Sequence, residues 1–161
     1  MIRAGVGAFA LTLATAAWAE DSKPFDPVAF FTGTTHGRGT LNELLGKTKK
    51  TSAQSVGRVD KDGWLILDQK VDVQGDPLRL RHWRLKQVSP GRFTGTLSEA
   101  KGPVDVAVVG QSIRIRYVMK DGIKVDQTLT PLPGGKALDN HSTFRKFGMK
   151  VATLVERIEK R

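Results

Sequence analysis

The sequence contains no cysteine. This absence excludes disulfide bonds, thiolate nucleophiles, zinc ribbons and iron–sulfur clusters, all of which depend on cysteine sulfur. We also expect no lipoprotein anchor, because that lipid is attached through a cysteine. A chain of this kind is stabilised by its hydrophobic core and its backbone hydrogen bonds. Its 161 residues are enough for one domain with a substantial core.

Motifs for catalysis and metal binding are missing as well. The histidines, His36, His82 and His141, occur singly and lack the spacing of a metal site. No Gly-x-Ser-x-Gly motif marks a serine nucleophile. Residues 32–40 are rich in glycine, but the Lys-Ser/Thr pair of a phosphate-binding loop does not follow, and such glycines are more typical of strand bulges and bends. We predict no catalytic residues, no metal and no cofactor.

Acidic residues are few compared with basic ones. The chain has 26 Lys and Arg against 16 Asp and Glu, which gives a formal net charge of +10. This excess favours an anionic partner, such as lipid head groups, a polyanion or an acidic small molecule; the alternative is a solvated basic face. We expect no nucleic-acid partner, because such recognition needs exposed aromatic residues interleaved with the basic ones.

The N-terminal residues have the pattern of a secretory signal peptide. Arg3 supplies the positive charge, residues 4–16 form an apolar run, and Ala17-Trp18-Ala19 is a signal peptidase site. The apolar run is too short to span a membrane comfortably. We predict that residues 1–19 are cleaved after Ala19, and that residues 20–161 form one soluble domain in the periplasm or outside the cell.

The remaining chain has the pattern of an antiparallel all-β protein. In residues 79–97, two β-rich runs are joined by Ser89-Pro90-Gly91, which is typical of a tight turn. Similar strands and turns recur about every ten to twelve residues, as expected of a sandwich or barrel. A sheet with one apolar face must close or stack to protect its edges. We predict an up-and-down barrel of about 8–10 strands.

Two segments are less regular. Asp26 and Pro27 before residues 28–31 predict one helical turn near the mature N-terminus, because aspartate caps helices and proline suits their first position. Residues 149–160 fit both helical and strand periodicity, and we favour a closing strand. The polar run from Asp139 to Ser142 is more typical of a turn that satisfies its own backbone than of a site.

A series of ordered markers resembles an uncharacterised family of bacterial envelope proteins, a domain of unknown function (DUF) with a lipocalin-like fold. The resemblance covers roughly residues 25–160. The markers are Phe30-Phe31-x-Gly33 with Gly37 and Gly39, Trp83-x-Leu85, Gly91-Arg92-Phe93-Thr94-Gly95, Gly102, Arg116-Tyr117, Asn140-x-x-Thr143 and Lys146-Phe147-Gly148-x-Lys150-Val151. The resemblance implies a lipocalin-like barrel and work on lipids in the envelope. It implies no catalytic residues, since none are established for the family. Many relatives carry a lipidated N-terminal cysteine, which this sequence lacks.

Arginines and aromatic residues are concentrated in two of the predicted strands. Inward-facing guanidinium groups could bind a carboxylate or phosphate, while aromatic side chains would contact an acyl chain. The alternative is a basic stripe on the outer face over a filled core. The candidate ligand-binding residues are Arg81, Trp83, Arg84, Arg114, Arg116 and Tyr117.

Three functions follow from this sequence. The favoured one is an exported lipocalin-like protein that binds a fatty acid or another amphiphilic, anionic small molecule. The second is a basic binder of an envelope polyanion, or a protein in peripheral contact with an anionic membrane, without a ligand in a cavity. The third is an enzyme that modifies lipids. The sequence makes no prediction of the oligomeric state.

Overall fold

The computed structural model describes residues 25–161, so the predicted signal peptide lies outside the described residues. Ten antiparallel strands form a closed barrel, and one short helix, α1 (Pro27–Phe31), precedes them. The strands are β1 (Gly33–Glu43), β2 (Thr48–Val59), β3 (Leu65–Val73), β4 (Arg79–Ser89), β5 (Arg92–Leu97), β6 (Val104–Val109), β7 (Ser112–Val118), β8 (Lys124–Pro131), β9 (Ala137–Lys146) and β10 (Met149–Lys160). This architecture confirms the predicted all-β, up-and-down barrel with one helical turn near its start.

The first and last strands close the barrel. β1 pairs with β10 from Thr35 opposite Lys160 to Glu43 opposite Ala152, and every other strand pairs with its neighbours in sequence. Residues 149–160 are therefore a strand rather than a helix. A register shift between Lys150 and Ala152 sets which of its residues face inward.

Helix α1 lies at one end of the barrel. Asp26 caps it by accepting hydrogen bonds from the backbone N–H groups of Val28 and Ala29, at 2.9 and 3.1 Å. Phe30 is buried in the main core. The Lys160 ammonium group donates to carbonyl groups at the end of the helix, so the last strand also holds α1 in place. This end of the barrel is closed.

Two glycines allow the closing strands to approach. A side-chain carbon at Gly39 would overlap the carbonyl oxygen of Val155, and one at Gly37 would overlap the Glu156 carboxylate. Glycine therefore provides close approach in β1, as expected for strand glycines that bend a barrel.

The barrel interior is unevenly filled. Bulky core residues come mainly from the side of the barrel that includes β5, β6 and β7, among them Phe93, Leu97, Val104 and Ile113. On the opposite side, the inward residues of β2 include the small side chains of Ala53 and Ser55. This contrast leaves space beside β1, β2 and β3. Within residues 25–161, no helix has the length and apolar character needed to cross a membrane.

Candidate functional site

A cavity of about 310 Å³ lies inside the barrel. Its lining extends from Phe31 of α1 to Glu43, Asp76 and Asp121, which lie at the turns of the opposite end. We call that end, where the β1–β2, β3–β4, β5–β6, β7–β8 and β9–β10 connections lie, the open end. The volume is within the lower part of the range for small-molecule sites.

Most of the cavity wall is apolar. The side chains come from α1 and from all strands except β5 and β6. Toward α1 the wall is formed by Leu65, Leu67, Leu85, Leu129 and Ile158. Such a surface suits a hydrocarbon group, since burying apolar area is the main favourable term in binding it.

Two arginines occupy the first inward positions of β4. Arg79 and Arg81 alternate with outward residues and both line the cavity near its open end. The Arg81 Nε donates to Glu99 at 2.6 Å, and the Arg79 guanidinium lies 4.0 Å from the same carboxylate. Glu99 therefore faces two arginines, and these three side chains together carry a net positive charge.

Two polar atoms of the cavity wall have no hydrogen-bond partner. Among the described residues, the buried side-chain atoms in this state are Thr51 Oγ1 and Arg79 Nε. Thr51 on β2 lies opposite Val73 of β3, and Arg79 on β4 lies opposite Val71 of β3. The two residues therefore flank the same short segment of β3 from its two sides. Surrounding protein atoms cover both polar atoms, so each adds a desolvation cost to the folded state.

A second polar group lies across the barrel, on β9 and β10. The Asn140 amide donates to Glu156 at 3.1 Å, and the Ser142 hydroxyl donates to the Asn140 carbonyl oxygen at 3.1 Å. Burial raises the pKa of Glu156, while the Asn140 hydrogen bond and the charge of Arg81 oppose that rise. Glu156 therefore holds its proton at a higher pH than an exposed glutamate does.

The replacement Glu156→Gln is expected to stabilise the protein at neutral pH. The folded-state pKa of Glu156 lies above its unfolded value, so its contribution to stability is complete at low pH and is lost as pH rises through the folded pKa. The variant should melt at a higher temperature than the parent above that pKa, and the difference should shrink toward acidic pH. Glu159→Gln, an exposed change on the same strand, is the control. Equal melting temperatures of the parent and Glu156→Gln at all pH values would contradict the raised pKa of Glu156.

Three of the six predicted site residues face the cavity. Arg81, Trp83 and Tyr117 are lining residues, and the two aromatic rings meet edge to face with 5.8 Å between centroids. The Trp83 Nε1 donates to Gln69 at 3.3 Å, and Gln69 donates to Ser55 at 3.1 Å. Burial raises the pKa of the Tyr117 hydroxyl, so it stays protonated.

The other three predicted site residues lie on the outer face, which corrects the expected single cluster. Arg84 stacks over Trp64 at 4.4 Å, and its guanidinium lies 3.9 Å from Asp60. Arg114 makes two hydrogen bonds to Asp126, at 2.6 and 3.1 Å, and Arg116 lies 3.4 Å from Asp105. Successive strand residues point to opposite faces, so Arg84 and Arg116 cannot share the side of Trp83 and Tyr117.

Some functional candidates were missed from the sequence. Residues 139–142 are not a turn but part of β9, where Asn140 faces the cavity. Glu156 could not be recognised from the sequence, because the alternation of Val151, Thr153 and Val155 places it on the other face of a regular strand. Arg79 belongs to the same arginine-rich strand as Arg81 and Trp83 and shares their face, but it was not included among the candidate ligand-binding residues.

Comparison with solved structures shows a lipocalin-like barrel fold. The chain is similar to S-type phycobiliprotein lyase CPES from Guillardia theta, with a TM-score of 0.67 and 4% identity over 83% of this chain and 90% of that chain. It is similar to Rv2717c from M. tuberculosis, with a TM-score of 0.61 and 16% identity over 85% of this chain and 99% of that one. It also resembles a DUF3598-family protein of unknown function from Nostoc punctiforme PCC 73102, with a TM-score of 0.67 and 12% identity over 86% of this chain; the match spans about half of that protein, 51%.

Comparison with sequences identifies the family. No protein with a curated description matches the chain significantly. The model of a family described as "Protein of unknown function (DUF3833)" matches residues 9–160, nearly the whole sequence. The chain therefore belongs to the DUF3833 family.

Proposed function

We propose that this protein is an exported carrier or sensor that binds an amphiphile with an apolar tail and an oxygen-bearing, anionic head group. The observation that carries the proposal is a mainly apolar cavity with two inward-facing arginines, Arg79 and Arg81, near its open end. A fatty acid carboxylate would accept hydrogen bonds from the guanidinium group of Arg79, whose side chain is 37% exposed.

The two parts of the ligand would occupy different parts of the cavity. The head group lies near Arg79, Arg81 and Thr51, close to the open end, where water and counterions are within reach. The tail extends toward Leu65 and Ile158 at the end closed by α1. This orientation keeps the charged head group near solvent and buries the hydrocarbon tail, so it has the lower transfer free energy for both groups.

Binding of a polyanion on the outer face receives less support. Arg84, Arg114 and Arg116, the outward arginines of the predicted cluster, each have a carboxylate within 4.0 Å. An incoming phosphate would compete with these carboxylates. The outer depression of about 400 Å³ is lined by Arg116, Lys124 and Arg145 with one acid, Asp126, so its net charge is positive and it is the outer feature that favours an anion.

We propose binding rather than catalysis as the activity, and the periplasm or the cell exterior as the location. The charged groups of the cavity wall support the first part, because Arg81 is engaged by Glu99 and Glu156 by Asn140. The predicted signal peptide of residues 1–19 supports the second.

The proposal is tested by titrating delipidated mature protein with saturated fatty acids of increasing length. Affinity should rise about fourfold for each added CH₂, from about 0.8 kcal/mol per methylene, and stop rising when the cavity is full. Arg79→Met should weaken binding of the best acid about tenfold, through the loss of one charge-assisted hydrogen bond.

The matched control is Arg116→Met on the outer face, which should bind as the parent does. No binding at any length would refute the proposal. Binding that is independent of length, equal in Arg79→Met and lost in moderate salt would instead support surface binding of anions.

A further inference from the structure

The largest exposed apolar side chains are collected at the open end of the barrel. Among residues 25–161, the exposed large hydrophobic residues other than valine are Leu44, Leu45, Leu78, Leu80, Phe147 and Met149. All six lie in, or within two residues of, the β1–β2, β3–β4 and β9–β10 turns. We call this group the apolar rim.

The three turns of the apolar rim are neighbours around the barrel. The Leu44 N–H donates to the Val151 carbonyl at 2.9 Å, which joins the β1–β2 turn to the start of β10. The Gln74 N–H donates to the Lys50 carbonyl at 2.9 Å, which joins the β3–β4 turn to β2. The apolar side chains therefore form one patch beside the cavity mouth rather than six scattered residues.

Phe147 is held in an unfavourable position for its residue type. Its φ is 50° and that of Gly148 is 80°, so both central residues of this two-residue hairpin have positive φ. Asn-Gly is the preferred pair in such a turn, and a bulky residue is rare there. The Phe147 side chain is also 89% exposed, so it gains almost no burial in the folded barrel. The Lys146 ammonium group lies 6.0 Å from the centre of its ring, a contact that returns little at an exposed site, so the strain points to a function.

Basic residues surround the apolar rim. Lys47, Lys101, Lys120, Lys146 and Lys150 lie at the open end and have no ion pair within the described part of the chain. The nearby acids are mostly engaged, since Glu43 and Asp76 both contact Lys49 and Glu99 contacts Arg81. Apolar side chains surrounded by lysines are complementary to an anionic bilayer, because its interior is hydrocarbon and its surface is negatively charged.

We propose that the apolar rim docks the open end of the barrel on an anionic phospholipid bilayer. The rim would insert Leu45 and Phe147 below the head groups while the lysines contact lipid phosphates. A second copy of the chain fits less well, because the two lysine rings would repel each other. The described chain starts near α1, at the opposite end of the barrel. The inference rests on the proposed function, since docking would place the cavity mouth where an amphiphile resides.

The test is co-sedimentation of the ligand-free mature protein with vesicles. The parent should bind vesicles of phosphatidylcholine mixed with phosphatidylglycerol, and bind phosphatidylcholine alone much more weakly. Phe147→Asn should lower the affinity roughly tenfold or more, from the area of one phenyl ring, while its melting temperature stays equal or rises because Asn-Gly suits the turn. Leu45→Asn, at a side chain that is 99% exposed, should act in the same direction.

Charge and position are tested separately. Lys146→Gln with Lys150→Gln should lower the affinity for the mixed vesicles roughly 25-fold, at about fivefold per lysine. The matched control is Val88→Asn, an exposed apolar residue at the α1 end of the barrel, and it should bind as the parent does. Equal loss in Val88→Asn, or parental binding by Phe147→Asn and Leu45→Asn, would overturn the docking surface.

Two further outcomes would also overturn it. One is the absence of binding to mixed vesicles at low salt. The other is a dimer in sedimentation velocity that Phe147→Asn abolishes, without vesicle binding, which would assign the rim to a second copy. Fatty acid titration without vesicles is a separate readout: its failure with vesicle binding intact refutes the cavity ligand alone, and the reverse pattern refutes the docking alone.

Discussion

Replacing Trp83 with alanine is expected to lower the free energy of unfolding by about 3–5 kcal/mol. Trp83 is buried between the main core and the cavity, and its ring meets that of Tyr117 at an interplanar angle of 87°. The change removes the indole, its contact with Tyr117 and its hydrogen bond to Gln69. The resulting void would join the existing cavity, so the walls could not collapse to fill it. Urea unfolding followed by circular dichroism measures the loss.

The comparison for this variant is Trp64→Ala. Trp64 lies at the outer surface under Arg84 and Lys86, where the cation–π contacts are solvated and the ring is only partly buried. Its loss should cost clearly less than that of Trp83. Equal destabilisation of the two variants would contradict a larger contribution from Trp83, the buried indole between the main core and the cavity.

Removing the Arg81 guanidinium should have the second largest effect. The side chains of Arg81 and Glu99 are only 15% and 19% exposed, and their hydrogen bond measures 2.6 Å. Arg81→Met leaves Glu99 with the more distant Arg79, at a cost of about 3 kcal/mol, toward the low end of values for buried pairs. It also removes a positive charge that opposes the raised pKa of Glu156.

A double-mutant cycle separates these contributions. Glu99→Leu alone should destabilise the barrel, because it leaves two arginines facing each other, whereas the pair Arg81→Met with Glu99→Leu should recover much of the lost stability. The measurement is the free energy of unfolding of the four proteins. Simple additivity of the two single changes would show that the ion pair does not couple these residues.

The architecture was predictable because its signals are local. Turn chemistry at Ser89-Pro90-Gly91 and the recurrence of short strands each depend on neighbouring residues, and together they indicate a meandering sheet. The helix cap at Asp26 follows the same logic. Even the choice of strand for residues 149–160 was correct, although the bulge after Lys150 changes which residues face inward, so that Leu154, Glu156 and Ile158 line the cavity.

The site was only partly predictable because it depends on contacts between distant strands. Strand alternation alone places Arg81 on the same face as Trp83 and Arg116 on the face opposite Tyr117. A stricter use of that rule would have assigned the arginines to two different faces. The cavity itself has no local signal. Its wall combines side chains of strands far apart in sequence, such as Leu41, Ala53 and Leu154, and only the closed register of β1 with β10 and β2 brings them together.

The pairing of β1 with β10 also determines when the barrel can form. Synthesis proceeds from the N-terminus, so β1 is made well before its second partner, β10, which is the last strand within residues 25–161. Until residues 149–160 are available, β1 and β9 each keep an open edge, and Lys160 cannot hold α1. Contacts this far apart in sequence make for slow folding, on the order of milliseconds to seconds. The nascent chain therefore stays without its closed barrel until residues 149–160 have been made.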